Sequence, residues 1–273
     1  MRRLAQLAGA YLIVCLAGGV YATDTALQRP RVPLTASDTA QAQAVAAELG
    51  ASLRATSITA ADGTAHDGWL MTPATSSGDV VLVFHGIVAN RAGVLDAARM
   101  FVAQGHTTLL ADLRAHGASG GDIGTFGVWE ADDARRWLAR LAPEASSNGC
   151  LYLFGTSLGA AVAIHAADLP RVCAVVADSA YSSLRDVAYD RISQRLHVPR
   201  FVGRTLLRPA VELGFLYARV RYGVWLGEAS ADAAIARRRA CARHPRCPRR
   251  QLAAGECRTP AAREPLARGS LDC

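Results

Sequence analysis

The stretch that decides the fold is residues 150–163, which read CLYLFGTSLGAAVA. Its first five residues are apolar, as in a buried β-strand, and the residues from Leu158 onward are typical of a helix. Between them stands the pattern G-x-S-x-G, with Ser157 at its centre and Gly155 and Gly159 on either side. Only small residues at these two positions let a strand and a helix approach closely across a sharp turn. The turn would place the Ser157 hydroxyl at a helix N-terminus, where free N–H groups favour developing negative charge.

Apolar runs and helical segments alternate on both sides of this stretch. After a hairpin at residues 53–72, strands are predicted at 80–84, 107–111, 150–154 and 172–177, with helices near 92–104, 128–141 and 158–167. Continuous Val, Leu and Ala strands separated by helices are typical of a mainly parallel sheet that is covered on both faces. The predicted fold class is therefore α/β, with a doubly wound, mainly parallel sheet.

A second motif follows the predicted strand 80–84, where the chain continues with His85, Gly86 and Ile87. The glycine lets the next backbone N–H turn toward the serine turn. The N–H groups of Ile87 and Leu158 would then form an oxyanion hole, in which a single donor is typically worth about 3 kcal/mol of transition-state stabilisation. We predict a packed structural role for the His85 imidazole, because the backbone after it supplies the donor.

A third motif, DLRAHGASG at residues 112–120, follows the predicted strand 107–111. With the three motifs in this order, residues 57–232 resemble the α/β-hydrolase superfamily, in particular exported bacterial members of its serine-aminopeptidase-like branch. The resemblance implies a serine hydrolase with Ser157 as nucleophile and a small ester, thioester, amide or short peptide as substrate. It implies no cofactor and no metal. His116 in the third motif is predicted to order its loop rather than to act as a catalyst.

The resemblance further implies a helical cap at residues 182–225, inserted after the sixth strand. Two cap helices are predicted, near 183–196 and 200–221, with a kink in the second at Pro209. The aromatic and aliphatic residues of these helices would roof an apolar acyl pocket, pack as ordinary core, or do both.

The sequence does not supply the catalytic partners of the serine at their usual places. In the superfamily an acid and a histidine follow the nucleophile, on loops after the seventh and eighth strands. Beyond residue 235 the chain has no apolar run that predicts a strand, so the predicted sheet lacks its last two strands. Asp178, at the end of the predicted strand 172–177, is the best remaining acid. Neither His165, predicted inside a helix, nor His197, predicted in the cap, is a convincing base.

The segment 236–273 also holds the whole net charge. All 30 basic residues of the chain are Arg and the net charge is +7; this segment has 10 Arg and three acids, and 20 Arg balance 20 acids in residues 1–235. No nucleic-acid partner is therefore expected of the body. We hypothesise that the segment is a disordered product of a reading-frame change near Ile235. The alternative is a genuine tail whose Arg clusters bind anionic lipid or nucleic acid.

The N-terminus has the pattern of an export segment. Arg2 and Arg3 precede an uncharged, mostly apolar run at residues 4–22, which predicts a cleaved signal peptide or a retained membrane anchor. A polar linker at 23–36 would hold the domain, residues 37–235, off the membrane, so we expect a membrane-anchored, periplasmic or extracellular protein.

Two of the seven cysteines, Cys150 and Cys173, lie in predicted strands. We predict buried free thiols there rather than a disulfide.

Two functions follow from these patterns. The first is an exported serine hydrolase whose base is missing or supplied unusually. The second is a non-catalytic protein on a hydrolase scaffold, either a truncated pseudoenzyme or a membrane-attached binding module.

Overall fold

The fold is a six-stranded sheet, seen in a computed structural model that describes residues 1–169 and 171–243. The strands are β1 (Ser52–Thr59), β2 (Ala65–Thr72), β3 (Val80–Phe84), β4 (Thr107–Ala111), β5 (Leu151–Thr156) and β6 (Val172–Asp178). Their order in the sheet is β1-β2-β4-β3-β5-β6. Strands β1 and β2 form an antiparallel hairpin, β2 pairs antiparallel with β4, and the neighbours from β4 to β6 are parallel. The predicted α/β class with a mainly parallel sheet is confirmed.

Helices cover both faces of the sheet because its central strands are apolar on both sides. These helices are α2 (Ala36–Glu48), α3 (Leu95–Ala103), α4 (Glu130–Leu141), α5 (Leu158–Ala166) and α9 (Ala231–Arg243). In β3, Val81 and Val83 pack toward α2 and α3, whereas Val80, Leu82 and Phe84 pack toward α4 and α5. This alternation is the period-2 pattern of a strand buried on both faces.

Strand β6 is the last strand of the sheet within residues 1–169 and 171–243. Its Val176 is 53% exposed, so an apolar side chain of this end strand faces solvent. The predicted tail starts inside α9, because residues 236–243 are helical and Ile235 packs on the core beside α5. Residues 244–273 lie outside the described part of the chain. They include His244 and most of the segment to which the reading-frame hypothesis applies.

The cap has three helices where the sequence predicts two. They are α6 (Leu184–Arg195), α7 (Arg200–Arg204) and α8 (Arg208–Tyr222). Pro209 lies in the first turn of α8 and does not kink a longer helix. The physical reason is that proline lacks an N–H, and the first turn of a helix is where N–H groups have no intrahelical acceptor.

A long N-terminal helix, α1 (Arg2–Leu27), packs along the cap helix α8. Its contact face is the four-residue series Cys15, Gly19, Thr23 and Leu27, all buried. The helix is long and apolar enough to cross a membrane, a property that signal sequences and buried helices share. It continues past residue 22, the predicted end of the export segment.

The residues predicted as a linker contact the domain. The backbone N–H of Gly124 donates to the Leu27 carbonyl at 3.0 Å, and the Arg31 guanidinium donates to the carbonyls of Ser119 and Gly121. The chain that leaves α1 therefore lies against the loops at the carboxyl ends of the strands.

Cys150 and Cys173 form a disulfide, with their Cα atoms 5.6 Å apart. The prediction of free thiols was wrong, and the reason is a β-bulge. The register between β5 and β6 shifts by one residue after the pair Leu151 and Val172, so that Tyr152 lies opposite Ala174. Cys173 is the extra residue of the bulge, and a bulge changes the direction of a side chain in a way that strand periodicity does not reveal.

Candidate active site

Ser157 occupies a strained turn between β5 and α5. Its backbone has φ 52° and ψ −110°, and it is the residue before the first turn of α5. A non-glycine residue at positive φ is costly and persists only where the surroundings hold it. Here the Ser157 N–H donates to the Asp178 carbonyl at 2.8 Å, which ties the turn to the end of β6. The side chain is exposed to solvent, as a nucleophile requires.

The two flanking glycines are required by backbone contacts. A Cβ on Gly155 would lie 2.2 Å from the carbonyl carbon of Gly159, and a Cβ on Gly159 would lie 2.5 Å from the Phe84 carbonyl oxygen. Both distances are far inside van der Waals contact, and the opposing atoms belong to the backbone. The spacing of the G-x-S-x-G pattern thus reflects three chain segments, β3, β5 and α5, meeting at one point.

The loop after β3 lies directly against the serine. A Cβ on Gly86 would be 3.6 Å from the Ser157 Cβ, so the next residue, Ile87, is beside the turn. Ile87 and Leu158 line the same pocket. Among the described residues, the backbone N–H groups of Ile87 and Leu158 have no hydrogen-bond acceptor. Two unpaired donors beside a serine are what an oxyanion hole needs.

The His85 imidazole is held by the backbone on both sides. Its Nδ1 lies 2.7 Å from the Gly86 carbonyl oxygen, which can only accept, so Nδ1 carries the proton. Its Nε2 accepts from the Leu113 N–H at 3.1 Å. Burial lowers the pKa of His85 to about 3, which keeps the ring neutral. Both nitrogens are used to join the loops after β3 and β4, so the ring has no lone pair left for Ser157.

The loop 112–120 is fixed by a buried polar network. The Asp112 carboxylate accepts from the Arg91 N–H at 2.6 Å and from the Ala118 N–H at 2.8 Å. Gly117 has φ 49°, and a Cβ there would lie 2.1 Å from the Asp112 carboxylate. The Ser119 hydroxyl donates to the Asp112 carbonyl at 2.8 Å. The motif therefore encodes a rigid loop beside the pocket.

Arg114 anchors this loop to α4. Its guanidinium donates two bonds to Asp133, at 2.7 and 2.9 Å, and one to Asp62 at 3.0 Å. Burial opposes the charge on Arg114, but the bonds to Asp133 outweigh it and raise the pKa of the guanidinium above its ordinary value. A planar guanidinium suits this bidentate geometry better than an ammonium group.

Asp178 lies at the end of β6, in register with Thr156. Its carboxylate accepts from the Ser179 hydroxyl at 2.8 Å, and among the described residues no histidine is hydrogen-bonded to it or to Ser157. His165 lies within α5 and His197 follows α6, as expected from the sequence. The structure thus brings Ser157, Ile87 and Leu158 together and places Asp178 on the neighbouring strand end, where residues 1–169 and 171–243 offer it no histidine partner.

The pocket beside the N–H groups of Ile87 and Leu158 includes residues that no sequence motif indicated. It is lined by Leu27 and Arg29 from the N-terminal segment, together with Ile87, His116, Phe126 and Leu158. Leu27 and Arg29 lie about 60 and 130 residues before the donors in the chain and have no pattern of their own. Only the packing of α1 on the cap brings them here.

Comparisons with known proteins show which family and which fold the chain resembles. The chain matches the serine aminopeptidase (S33) family over residues 75–248, which is more than half of its length. It is 29% identical over 86 residues to the uncharacterized protein YqkD of Bacillus subtilis, a match that covers 32% of this chain and 28% of that relative. The chain thus spans less than a third of the length of that curated relative.

Among solved structures, the esterase Pf2001 of Pyrococcus furiosus is similar in two crystal forms. Both have a TM-score of 0.52 and 24% identity, and each match covers 68% of this chain and 68% or 72% of the esterase. At this identity the likeness concerns the fold. The family match, the sheet order and the serine turn all lead to one assignment. The chain belongs to the serine aminopeptidase (S33) family, within the α/β-hydrolase superfamily.

Proposed function

We propose that this protein is an exported serine hydrolase that cleaves an ester, thioester or amide bond of a small substrate through Ser157. The observation that carries the proposal is the geometry of the serine turn. Ser157 is exposed at a positive φ, and two backbone N–H groups beside it, of Ile87 after β3 and of Leu158 at the start of α5, have no acceptor among the described residues. Structural serines have no need of a strained backbone or of free donors at their side.

In the proposed reaction, the Ser157 Oγ attacks the carbonyl carbon while the N–H groups of Ile87 and Leu158 bind the developing oxyanion. The proton lost by the Ser157 hydroxyl is transferred to the leaving alcohol, thiol or amine, which departs as the carbonyl reforms, and an acyl group remains on Ser157. Water hydrolyses this ester and restores the hydroxyl. The dipole of α5, whose N-terminus begins at Leu158, adds to the stabilisation of the negative charge.

The proton acceptor for Ser157 is not assigned among the described residues. Asp178 is the proposed acid, because it sits on the strand end next to the serine turn, with Asp178 and Thr156 in register. An acid in this position acts by orienting a histidine and stabilising its charge. A serine hydroxyl without a base within hydrogen-bond reach is a weak nucleophile.

The second candidate is a non-catalytic protein on the same scaffold. The observation that favours it is the hydrogen bond between Asp178 and Ser179, in a site where the described residues offer no histidine to the acid. In that case the pocket binds a ligand and the serine turn is an inherited feature.

Export is supported by the disulfide between Cys150 and Cys173, because disulfides persist mainly in oxidising compartments. The N-terminal helix has the length and composition of a signal or an anchor. We propose a location outside the cytoplasmic membrane, with the membrane as the partner of that helix.

A fluorophosphonate probe, which reacts with activated serines, tests the proposal on the full-length protein. We expect labelling of the wild-type chain, loss of labelling in Ser157→Ala, and unchanged labelling in Ser147→Ala, which removes an exposed serine from a surface loop. Circular dichroism on each sample establishes that it is folded. A folded wild-type protein that takes up no label favours the non-catalytic candidate.

A further inference from the structure

The cap helix α8 has an apolar stripe that faces away from the domain core. Leu216 and Val220, one turn apart, are 51% and 80% exposed. The half-buried Pro209 and Leu213 continue the stripe toward the start of the helix, because residues three or four positions apart share a face. Single exposed apolar side chains are ordinary on a protein surface, but a row of them along one helix indicates an interaction surface.

The N-terminal helix α1 lies side by side with α8 and runs in the same direction. Near the start of the contact, the Tyr11 hydroxyl donates to the Leu206 carbonyl. Near its end, the Asp24 carboxylate accepts from the Tyr222 hydroxyl at 2.8 Å. The two helices are therefore neighbours over the whole length of α8.

The outer side of α1 extends the apolar stripe. Residues 4–22 contain no charged side chain, so every direction in which this part of α1 faces solvent is uncharged. Ile13 and Val14 are both 69% exposed, and Tyr21 is 73% exposed. The side of α1 that adjoins the stripe on α8 is thus uncharged as well, and the two helices present one continuous, mostly apolar surface.

This docked position of α1 differs from that of a membrane-spanning helix. A helix that crosses a bilayer with residues 4–22 is surrounded by lipid, whereas α1 is covered by α8 along one side. If the pair crossed together, the charged Arg208 at the start of α8 would enter the hydrocarbon, which is unfavourable. A membrane that receives the outer side of α1 therefore meets α8 from the same side, as it does for helices that lie in the membrane interface.

The cap also carries an excess of positive charge. Residues 184–222 hold eight Arg and three acids, a net +5, and the rest of residues 1–235 holds 12 Arg and 17 acids, a net −5. Arg219 and Arg221 are exposed, and the described residues provide no carboxylate that forms an ion pair with them. Arg219 lies about 100° around α8 from the stripe, on the side away from α1. An apolar surface bordered by arginines is complementary to an anionic lipid surface.

We infer that the stripe of α8 and the outer side of α1 together bind an anionic membrane, with α1 lying in the membrane interface beside the cap and the cap arginines contacting lipid phosphates. The inference goes beyond the proposed hydrolase and does not depend on catalysis by Ser157. A bilayer fits the surface better than a second copy of the chain does, because two caps that each carry a net +5 repel one another.

Partition of the full-length protein onto lipid vesicles tests the inference. Vesicles of phosphatidylcholine are compared with vesicles in which a third of the lipid is phosphatidylglycerol, and co-sedimentation at increasing lipid gives the partition coefficient. We expect partition onto the anionic vesicles to be at least about tenfold stronger. The segment 236–273 is the same in every variant, so differences between variants report on the cap.

Charge-matched variants assign the binding to the proposed surface. We expect Leu216→Glu and Val220→Glu each to lower partition onto both kinds of vesicle by about tenfold. The control Met100→Glu makes the same change of charge at a side chain on α3 that is 49% exposed, and it should bind as the wild type does.

A second set of variants tests the arginines. We expect the double variant Arg219→Gln, Arg221→Gln to reduce the preference for anionic vesicles by about tenfold. The double variant Arg99→Gln, Arg136→Gln has the same net charge but alters arginines on α3 and α4, and it should keep the preference.

Hydrogen exchange of the wild-type protein decides the matter even where a variant does not fold. We expect vesicles to slow exchange in residues 2–27 and 206–222 and to leave residues 95–103 unchanged. Unchanged exchange in 206–222 overturns the inference, because α1 or the C-terminal segment would then bind the vesicles alone. Equal partition of Leu216→Glu and Met100→Glu, a purified chain without residues 1–22, or a lipid-free dimer that Val220→Glu converts to a monomer also overturns it.

The same measurements separate this inference from the proposed hydrolase. Ser157→Ala should bind vesicles as the wild type does, because binding requires no reaction. Slowed exchange in the cap without fluorophosphonate labelling of the wild type refutes the hydrolase and leaves the membrane surface standing. Labelling with unchanged exchange in the cap does the reverse.

Discussion

The contact between α1 and α8 implies that two adjacent glycines of the N-terminal helix differ in their tolerance of a larger residue. A Cβ on Gly19 would lie 2.2 Å from the Ala210 carbonyl oxygen and 3.0 Å from the Gly214 nitrogen, whereas a Cβ on Gly18 would have no atom within 4 Å. Gly18→Leu and Gly19→Leu therefore change composition and hydropathy equally. They differ only in the face of the helix that receives the side chain.

The expected loss of stability in Gly19→Leu follows from the atoms that the new side chain would displace. The atoms it meets belong to the α8 backbone, and overpacking of this kind costs about 1 to 3 kcal/mol. Undocking also breaks the hydrogen bonds that Tyr222 makes with Asp24, at 2.8 Å, and with Gln28, at 2.7 Å, each worth about 1 kcal/mol. Leucine has a higher helix propensity than glycine, which raises the free energy of unfolding by about 1 kcal/mol. The net loss in the free energy of unfolding is about 2 to 4 kcal/mol.

Thermal unfolding of the detergent-solubilised full-length protein, followed by near-ultraviolet circular dichroism, measures this loss. We expect the midpoint for Gly19→Leu to fall by roughly 5 to 10 °C. For Gly18→Leu we expect no fall, and a rise of up to about 3 °C from helix propensity alone. Intact mass establishes that residues 18 and 19 are present in the purified chain. Equal midpoints for the two variants would show that α1 is not docked on α8, and the reasoning about the pocket wall at Leu27 would fail with it.

Two further predictions concern the site and its supports. Gly159→Ala places a Cβ 2.5 Å from the Phe84 carbonyl oxygen. We therefore expect the free energy of unfolding to fall by about 1 to 3 kcal/mol and fluorophosphonate labelling to be lost. The control Gly93→Ala, whose new Cβ would have its nearest neighbour 3.7 Å away, should change neither. Burial lowers the pKa of His85 to about 3, so between pH 6.5 and 3 the unfolded chain binds one more proton at this residue than the folded chain does. Stability should therefore decrease as the pH falls through this range, with His85 contributing up to about 1.4 kcal/mol per pH unit. Denaturant titrations at several pH values should give a shallower dependence of stability on pH for His85→Gln than for His197→Gln. An unchanged slope in His85→Gln would mean that the ring is not held neutral.

Local sequence carried most of the information about the sheet and the serine turn. The apolar runs of β3, β4 and β5 have neighbours on both faces of the sheet, so their composition alone predicted buried parallel strands. The glycines of G-x-S-x-G lie at backbone contacts that leave no room for a larger residue, so the motif can be identified from the sequence without knowledge of the fold. The cap was harder to predict because a proline near a helix start and a proline kink have similar sequence signatures.

What the sequence by itself determined is the α/β fold, the Ser157 turn and the oxyanion donors Ile87 and Leu158 as candidates, because each was inferred from short local patterns of residues. What only the tertiary structure decided depends on contacts between distant segments. The disulfide joins Cys150 to Cys173, the extra residue of a bulge in β6, and the pocket wall arises because α1 packs on α8 and carries Leu27 and Arg29 to the N–H groups of Ile87 and Leu158. His116 belongs to both groups: its motif indicated an ordered loop, and only the packed structure revealed a buried nitrogen that has no partner in the described part of the chain. Periodicity and motif spacing describe how a segment folds locally, and they carry no information about which distant surface it will meet.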